Sequence, residues 1–568
     1  MKYVLLVLII PFLVGGFFTF TDVRSFSDET SKKSNTIVVC GAGSDGFIYP
    51  MGNGKFIVPL PGWGSYSYPI STRVDSAQFY FDQGLTMYYS YHMKEAMASF
   101  KESARLDSTS AMAWWGQALA GGPFYNAAHL YKVPADMPTI LARMNELAAS
   151  ASPKEKRLIE VMNARYNTDP SDAQRKQLNQ AYADASRQLI TEFNDPDSKM
   201  LYVDAVMLMH AWDFWNGDGS PKAWTQEVVD ISKNVLENSP DHPGALHYYI
   251  HLTEASKHPE VAYPNADRLK TLFPGVAHMV HMSSHEYQRN GYFAQGVVVN
   301  DLADDNLLKY DSLAANLGLV KHSPHYFAVQ TYCALTGGMY KTGINDALRC
   351  RRSVSPVADN PYDQYLYMLP SLTLVRLGKW NDVLATDKPD QSWTYAALLD
   401  HFARGMALVR TNKPAEAEQQ LQLLRERLKD PVLKKRRIPF NAFLPSAQLA
   451  EHILDASILF HAKKQEQALA TLQKAIAIED VLIYTEPADW PLPARQFLGA
   501  YLLEMRNWSE AEAVYRQDLA HNPGNGWSMV GLHQALAGQK KTTELVSIEA
   551  GYRAAFSKAE QIPVSSVY

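Results

Sequence analysis

Residues 79–108 read "FYFDQGLTMYYSYHMKEAMASFKESARLDS", and the spacing within this stretch decides the fold. Gly84 is followed twelve residues on by Ala96, and four residues later by Phe100. The segment 495–523, "RQFLGAYLLEMRNWSEAEAVYRQDLAHNP", keeps those offsets with Gly499, Ala511 and Tyr515 and closes on Pro523. In 403–421 the series is Gly405, Ala417 and Leu421; in 456–475 it is Ala456, Ala468, Leu472 and Ala475. Small residues at fixed intervals let two antiparallel helices approach closely, and the larger apolar residues fill the seam between them. A unit of this size cannot bury its apolar face alone, so such units stack into a superhelix with a concave groove.

The offsets resemble the tetratricopeptide repeat, a helix–turn–helix unit of about 34 residues. Further segments, among them "HAWDFWNGDGSPK", "HPGALHYYIHLTEASKHPE", "PGVAHMVHMSSHEYQRNGY" and "YTEPADWPLPARQFLGA", look like a family of large bacterial tetratricopeptide-repeat proteins with a His-rich middle region. The similarity spans about residues 77–540. It implies an all-α superhelix (an α-solenoid) and carries no assured activity. The expected layout is a signal peptide or anchor at 1–20, a polar linker at 21–35 and a Gly/Pro/aromatic extended segment at 36–76. Helical repeats follow over 77–240, His-rich repeats over 241–350, further repeats over 351–557 and a tail at 558–568.

Bulk composition narrows the function classes. With 46% hydrophobic and 20% charged residues the chain is globular, and neither disordered nor collagen-like. A net charge of −5 offers no basic footprint for nucleic acid. Lys2 followed by an apolar run to Phe20 and a Ser-rich polar flank is the layout of an export signal, so a periplasmic or secreted location is expected. Membrane contact is expected only through that run, should it stay uncleaved. Three cysteines are too few for a disulfide framework, although Cys333 and Cys350 could pair in an oxidising compartment. Gly41-x-Gly43-x-x-Gly46 imitates a dinucleotide fingerprint, but Pro50 and two more glycines follow, where the fingerprint needs a helix. It reads as a Gly-rich turn.

Nine of the seventeen histidines fall between His242 and His325. His247 and His251 are four apart with Glu254 three further on, so all three share one helical face. His278, His281 and His285 share a face in the same way. His247 to His281 and His251 to His285 are each 34 residues, one repeat length, so the two pairs occupy equivalent sites on successive first helices. Numbered from the repeat-closing Pro274, those sites are positions 5 and 9, with His278 at position 2 and Glu254 and Gln288 at position 12. Positions 2, 5, 9 and 12 of the first helix line the groove in tetratricopeptide proteins. The first and last repeats place other residues there, so the histidines are a local choice.

Neighbouring first helices lie about 10 Å apart, close enough for paired imidazoles to converge on one metal ion. Imidazole donors suit Cu, Zn, Fe or Ni. Glu254 could be a ligand, a partner of an imidazole N–H, or a general base. Neutral imidazoles with tyrosines such as Tyr248 could instead form a hydrogen-bonding groove for a peptide or glycan, or be satisfied within a core. His322, His325 and Cys333 begin the next helix; aligning Tyr340 with Tyr292 puts Cys333 where His285 sits, as a soft ligand. His322 and His325 could cap the groove. His242 and His258 each precede a proline at a helix start and suit a capping role. Two loops, with Trp212, Asp213, Trp215 and Asp218, and with Tyr484, Glu486, Asp489 and Trp490, could stack on a ligand or simply plug repeat junctions. No nucleophile triad, phosphate loop, His-Glu-x-x-His or Cys-x-x-Cys motif occurs. The sequence thus points to a metal-dependent protein, as a metal-binding protein or as an enzyme assisted by Glu254, or to a non-catalytic scaffold. The scaffold would take a protein, peptide or small molecule in its groove, within an extracytoplasmic polysaccharide- or peptide-handling system.

Overall fold

A computed structural model describes residues 48–568, apart from 168, 170, 218 and 437–439. The export-signal run, the linker, Cys40, the Gly41–Gly46 turn and Asp218 lie outside the described residues. The described part is all-α: helices follow one another in antiparallel pairs, with isolated bridges and no sheet.

The small-residue spacing works at the first and last pairs as the sequence implies. A Cβ on Gly84 would stand 2.7 Å from the Phe100 ring, and one on Gly499 would stand 2.4 Å from the Tyr515 ring. Any larger residue would push the paired helices apart. Gly405 keeps the same offset but faces Leu454 of the following repeat, so there the small residue serves the junction between pairs.

Residues 48–74 contain neither helix nor strand. Lacking a strand partner, their backbone donors find side-chain acceptors on the first helix, Asp75–Tyr89. Leu60 N–H donates to Gln83 Oε1 at 2.8 Å and Tyr68 N–H to Asp82 Oδ1 at 2.9 Å. The segment also reaches the His-rich repeats, where Gly275 N–H donates to the Gly62 carbonyl at 2.9 Å. The 558–568 tail is likewise anchored: Ser566 Oγ lies 2.7 Å from Tyr515 Oη, and Tyr568 packs on Trp527.

The superhelix closes on itself. The turn after the helix Ala277–Arg289 meets the turn before the helix Gly526–Gly538. Gly291 and Gly524 touch there so tightly that a Cβ on Gly291 would stand 2.6 Å from the Gly524 Cα. Arg289 spans the same junction: its Nε donates to the Glu254 carbonyl at 3.0 Å, and its guanidinium lies over the Tyr484 ring. This closure decides the environment of the histidines. His247, His251, His278, His281 and His285 are 0–4% exposed, walls of a sealed interior and not of an open groove.

Cys333 and Cys350 are both buried and free, so the pairing considered from the sequence is absent. Among the described residues, no helix is long and apolar enough to cross a membrane.

Candidate metal centre

Three first helices carry the site: Pro243–Thr253, Ala277–Arg289 and Pro324–Thr336. Counted along them, His247 and His251 are the fifth and ninth residues of the first, and His281 and His285 those of the second. His278 and His325 are each the second residue of their helix. His242 caps the first helix, its Nδ1 accepting from Ala245 N–H at 3.2 Å. His258 makes no capping bond, and its side chain is 78% exposed.

Two groups of three imidazoles result. The ligand-capable atoms of His247, His251 and His278 all lie within 4.8 Å of one another, and so do those of His281, His285 and His325. Nε2 of His247 is 3.1 Å from Nε2 of His278, and Nε2 of His281 is 3.0 Å from Nε2 of His285. These are N–H···N hydrogen-bond distances, and they lie close to the roughly 3.3 Å between two nitrogens sharing a tetrahedral ion at 2.0–2.1 Å.

Four of the outer nitrogens are held by acceptors, which places a proton on each of them, while His278 Nδ1 is buried without a partner. His247 Nδ1–H donates to the Tyr89 carbonyl at 2.6 Å, and His281 Nδ1–H to Asn300 Oδ1 at 2.6 Å. Asn300 is itself oriented, its Nδ2 donating to the Gly296 carbonyl at 2.8 Å. His251 Nδ1–H donates to Glu254 Oε1 at 2.9 Å, and His285 Nδ1–H to Glu254 Oε2 at 2.8 Å. Glu486, from the distant loop after Tyr484, also brings Oε2 to 2.8 Å of His285 Nδ1. In His247, His251 and His281 the proton sits on Nδ1 and Nε2 is left to face inward, whereas His285, held protonated by its carboxylate neighbours, can donate Nε2–H to His281 Nε2. His251 Nε2 is buried with no hydrogen-bond partner. Imidazoles oriented by carboxylates and carbonyls in this way are the usual surroundings of a metal ion.

Electrostatics agree. Burial pushes the ring pKa of His247, His278 and His281 well below the ordinary histidine value, and that of His251 down to about 3, so these rings are neutral. His285 is the exception. Burial lowers it too, but the Glu486 and Glu254 carboxylates overcome that and hold it at about 10. Burial, then the charge of Glu254, raises Glu486 above the usual carboxyl range.

Glu254 lies between the two groups. Each of its oxygens accepts an imidazole N–H, the geometry of a partner that orients rings, and its atoms also lie within ligand reach of His251 and His285. Aromatic rings seal the cluster. Tyr91 stands edge-on to His247 at 4.6 Å, Trp212 to His251 at 5.3 Å, and Tyr326 stacks on His281 at 4.1 Å. Tyr248 is buried beside Tyr91 and His247.

Other candidates go elsewhere. Cys333 is the tenth residue of its helix, one past the position of His285, and that single step turns it away by about 100°. It packs against Gly296 in a separate apolar cluster. His322 is half exposed and pairs with Asp304 at 3.0 Å, so it does not cap the cluster. Asp213 pairs with Lys222 near the surface. Gln288 and Trp490 border a neighbouring cavity of about 180 Å³, beside Tyr484 and Arg495. Trp490 also plugs a junction, donating Nε1–H to the Leu492 carbonyl at 2.7 Å and packing on Phe402. Sequence reading passed over Asn300, Tyr91 and the Tyr89 carbonyl and left Glu486 as a loop residue; none shares a helix with the histidines, so no spacing announces them.

No family model matches the chain, and no curated protein sequence does. Solved structures that overlap it include a human IFIT1 dimer with m7Gppp-AAAA (12% identity, TM-score 0.33, 75% of this chain and 86% of that one). Yeast Tom70 overlaps at 11% identity and TM-score 0.29, over 76% of this chain and 90% of that one. The P58(IPK) TPR domain overlaps at 12% identity and TM-score 0.18, over 60% and 94%. At scores this low the chain's own helix pairs, and not these likenesses, carry the assignment of a tetratricopeptide-type solenoid.

Proposed function

We propose that this protein is an exported tetratricopeptide solenoid that binds a transition metal in its sealed, imidazole-lined interior. His247, His251 and His278 with His281 and His285 supply the donors. The observation that carries this reading is the orientation of the rings: outer nitrogens tied to Tyr89, Glu254 and Asn300, inner nitrogens gathered and, at His251, without a partner. Gathered ring nitrogens whose outer partners fix their direction are what a metal ion requires of imidazole ligands. Imidazole donors with no thiolate favour copper, zinc or iron over magnesium or calcium. An oxygen- or water-activating enzyme is compatible with such a site. The apolar run before Thr21 supports export.

The test is elemental analysis of the purified, metal-reconstituted full chain against the His247→Ala/His281→Ala double variant. At least one tightly held ion per wild-type chain, lost in the double variant, is the expected result. Wild type that retains no ion after reconstitution with copper, zinc or iron sinks the reading.

A second reading is a metal-independent scaffold for a protein or peptide partner. It is favoured by the repeat architecture and by apolar side chains exposed on the helix Phe293–Leu313, notably Val298 and Leu302. A partner retained by metal-free protein and lost on substituting those residues would support it.

A further inference from the structure

We propose that the cluster is a dinuclear centre, with one ion on His247, His251 and His278 and a second on His281, His285 and His325, the two ligand sets sharing Glu254. The assignment rests on the metal reading above and goes beyond it in stoichiometry and in the ligand division.

Donor-atom reach gathers the six imidazoles in two threes, each with its ligand-capable atoms within 4.8 Å of one another, and His251 and His285 meet across them at Glu254. Within the first set His247 lies 4.9 Å from His251 and 4.8 Å from His278, centroid to centroid. Within the second, His281 lies 4.7 Å from His285 and 4.8 Å from His325. The third separation in each set, 6.2 Å for His251–His278 and 6.0 Å for His285–His325, matches the 5.9 Å of His278–His281 and 6.1 Å of His251–His285 across the sets, so the two sets abut along His251, His278, His281 and His285.

The division also follows from the repeat. Each set takes the fifth and ninth residues of one first helix and the second residue of the next. One stacking operation builds the first site, and the same operation one repeat on builds the second. His325 completes the second set although it lies 44 residues after His281, where His278 lies 31 after His247. The longer helix Phe293–Leu313 and the loop behind it absorb the difference.

Orientation and charge fit two ions. Glu254 takes a ring N–H from each set, one per oxygen, so a single carboxylate ties the sites together. Glu486 places a second carboxylate against His285. These carboxylates would supply buried counter-charge to two cations on six imidazoles. With three protein donors each, both ions keep an open position. The all-imidazole donor set suits copper or zinc.

Chelator-stripped full-length protein would be loaded with either Cu(I), without oxygen, or Zn(II), desalted and assayed for metal per chain. Two ions per wild-type chain are expected with at least one of these metals. His278→Ala and His325→Ala should each hold one ion, and His322→Ala, altered outside the cluster, should still hold two. Cu(II)-loaded wild type should show a magnetically coupled pair by electron paramagnetic resonance, a readout that needs no variant to fold. One ion per wild-type chain with either metal, and an uncoupled copper signal, overturns the dinuclear assignment while leaving the metal reading intact. No bound ion overturns both. Two ions retained in a folded His325→Ala removes His325 from the second set and overturns the ligand division.

Discussion

His278 and His325 stand at the same place in successive repeats, each the second residue of a first helix and each leaning on the His-x3-His pair of the repeat before it. A metal site assembled across a repeat junction depends on residues of the second helices as well, because those hold the rings in place.

Asn300 is such a residue. It accepts the Nδ1–H of His281 and is locked by its own bond to the Gly296 carbonyl. Asn300→Ala should weaken metal binding by about 10- to 100-fold, the usual effect of removing an outer partner of a ligating histidine. Chelator competition measures this. Asn300→Asp, which keeps an acceptor, should recover most of the affinity; equal losses in both variants would show that the hydrogen bond is irrelevant.

Glu254 offers two acceptor oxygens to two imidazole N–H groups. A glutamine has one acceptor, and its amide N–H2 would confront the other ring. Glu254→Gln should therefore lower folding stability by about 1–3 kcal/mol, the cost of an unsatisfied buried donor, in metal-free protein. Thermal or urea unfolding checks it, and unchanged stability would mean that the two rings find other acceptors.

Gly291 and Gly524 set how tightly the superhelix closes over the cluster. Gly291 has φ +82°, and a Cβ there would meet Gly524 at 2.6 Å. Gly291→Ala combines a strained backbone with a clash and should cost at least about 1–3 kcal/mol. Because this contact seals the interior, loss of bound metal to an external chelator should also become faster. A variant with altered stability but wild-type release kinetics would separate the closure from access to the site.

Asp346 gives a pH dependence remote from the histidines. Burial, then the charge of Asp301, raises its pKa to about 7, above an ordinary carboxyl. The folded state thus holds this proton more tightly than the unfolded chain does. The associated stability is fully present below about pH 4 and is lost as pH rises through 7. Asp346→Asn should match wild type near pH 4 and exceed it by about 1 kcal/mol or more at pH 8. Melting curves at the two pH values decide it; a gain of equal size at both would assign the effect to packing.

The helical pairs were legible because their signals are local. Gly84 and Phe100, or Gly499 and Tyr515, lie within one repeat, where spacing along the chain fixes which side chains meet. The repeat register of His247, His251, His281 and His285 was legible for the same reason. Cys333 shows how far such alignment reaches: an offset of one residue in the matched boundary placed it on the histidine face, and the actual helix turns it into an apolar cluster.

The amino-acid sequence by itself determined the solenoid and the two in-register histidine pairs, since helical period and repeat length are properties of neighbouring residues. Only the tertiary structure decided that those pairs lie in a closed interior and not along a groove. It also decided that Tyr91, Glu486 and His325 join them and that Glu254 serves two rings at once. The reason is geometric. Small rotations between successive repeats accumulate along the superhelix, and no spacing in the chain records where a later repeat will meet an earlier one.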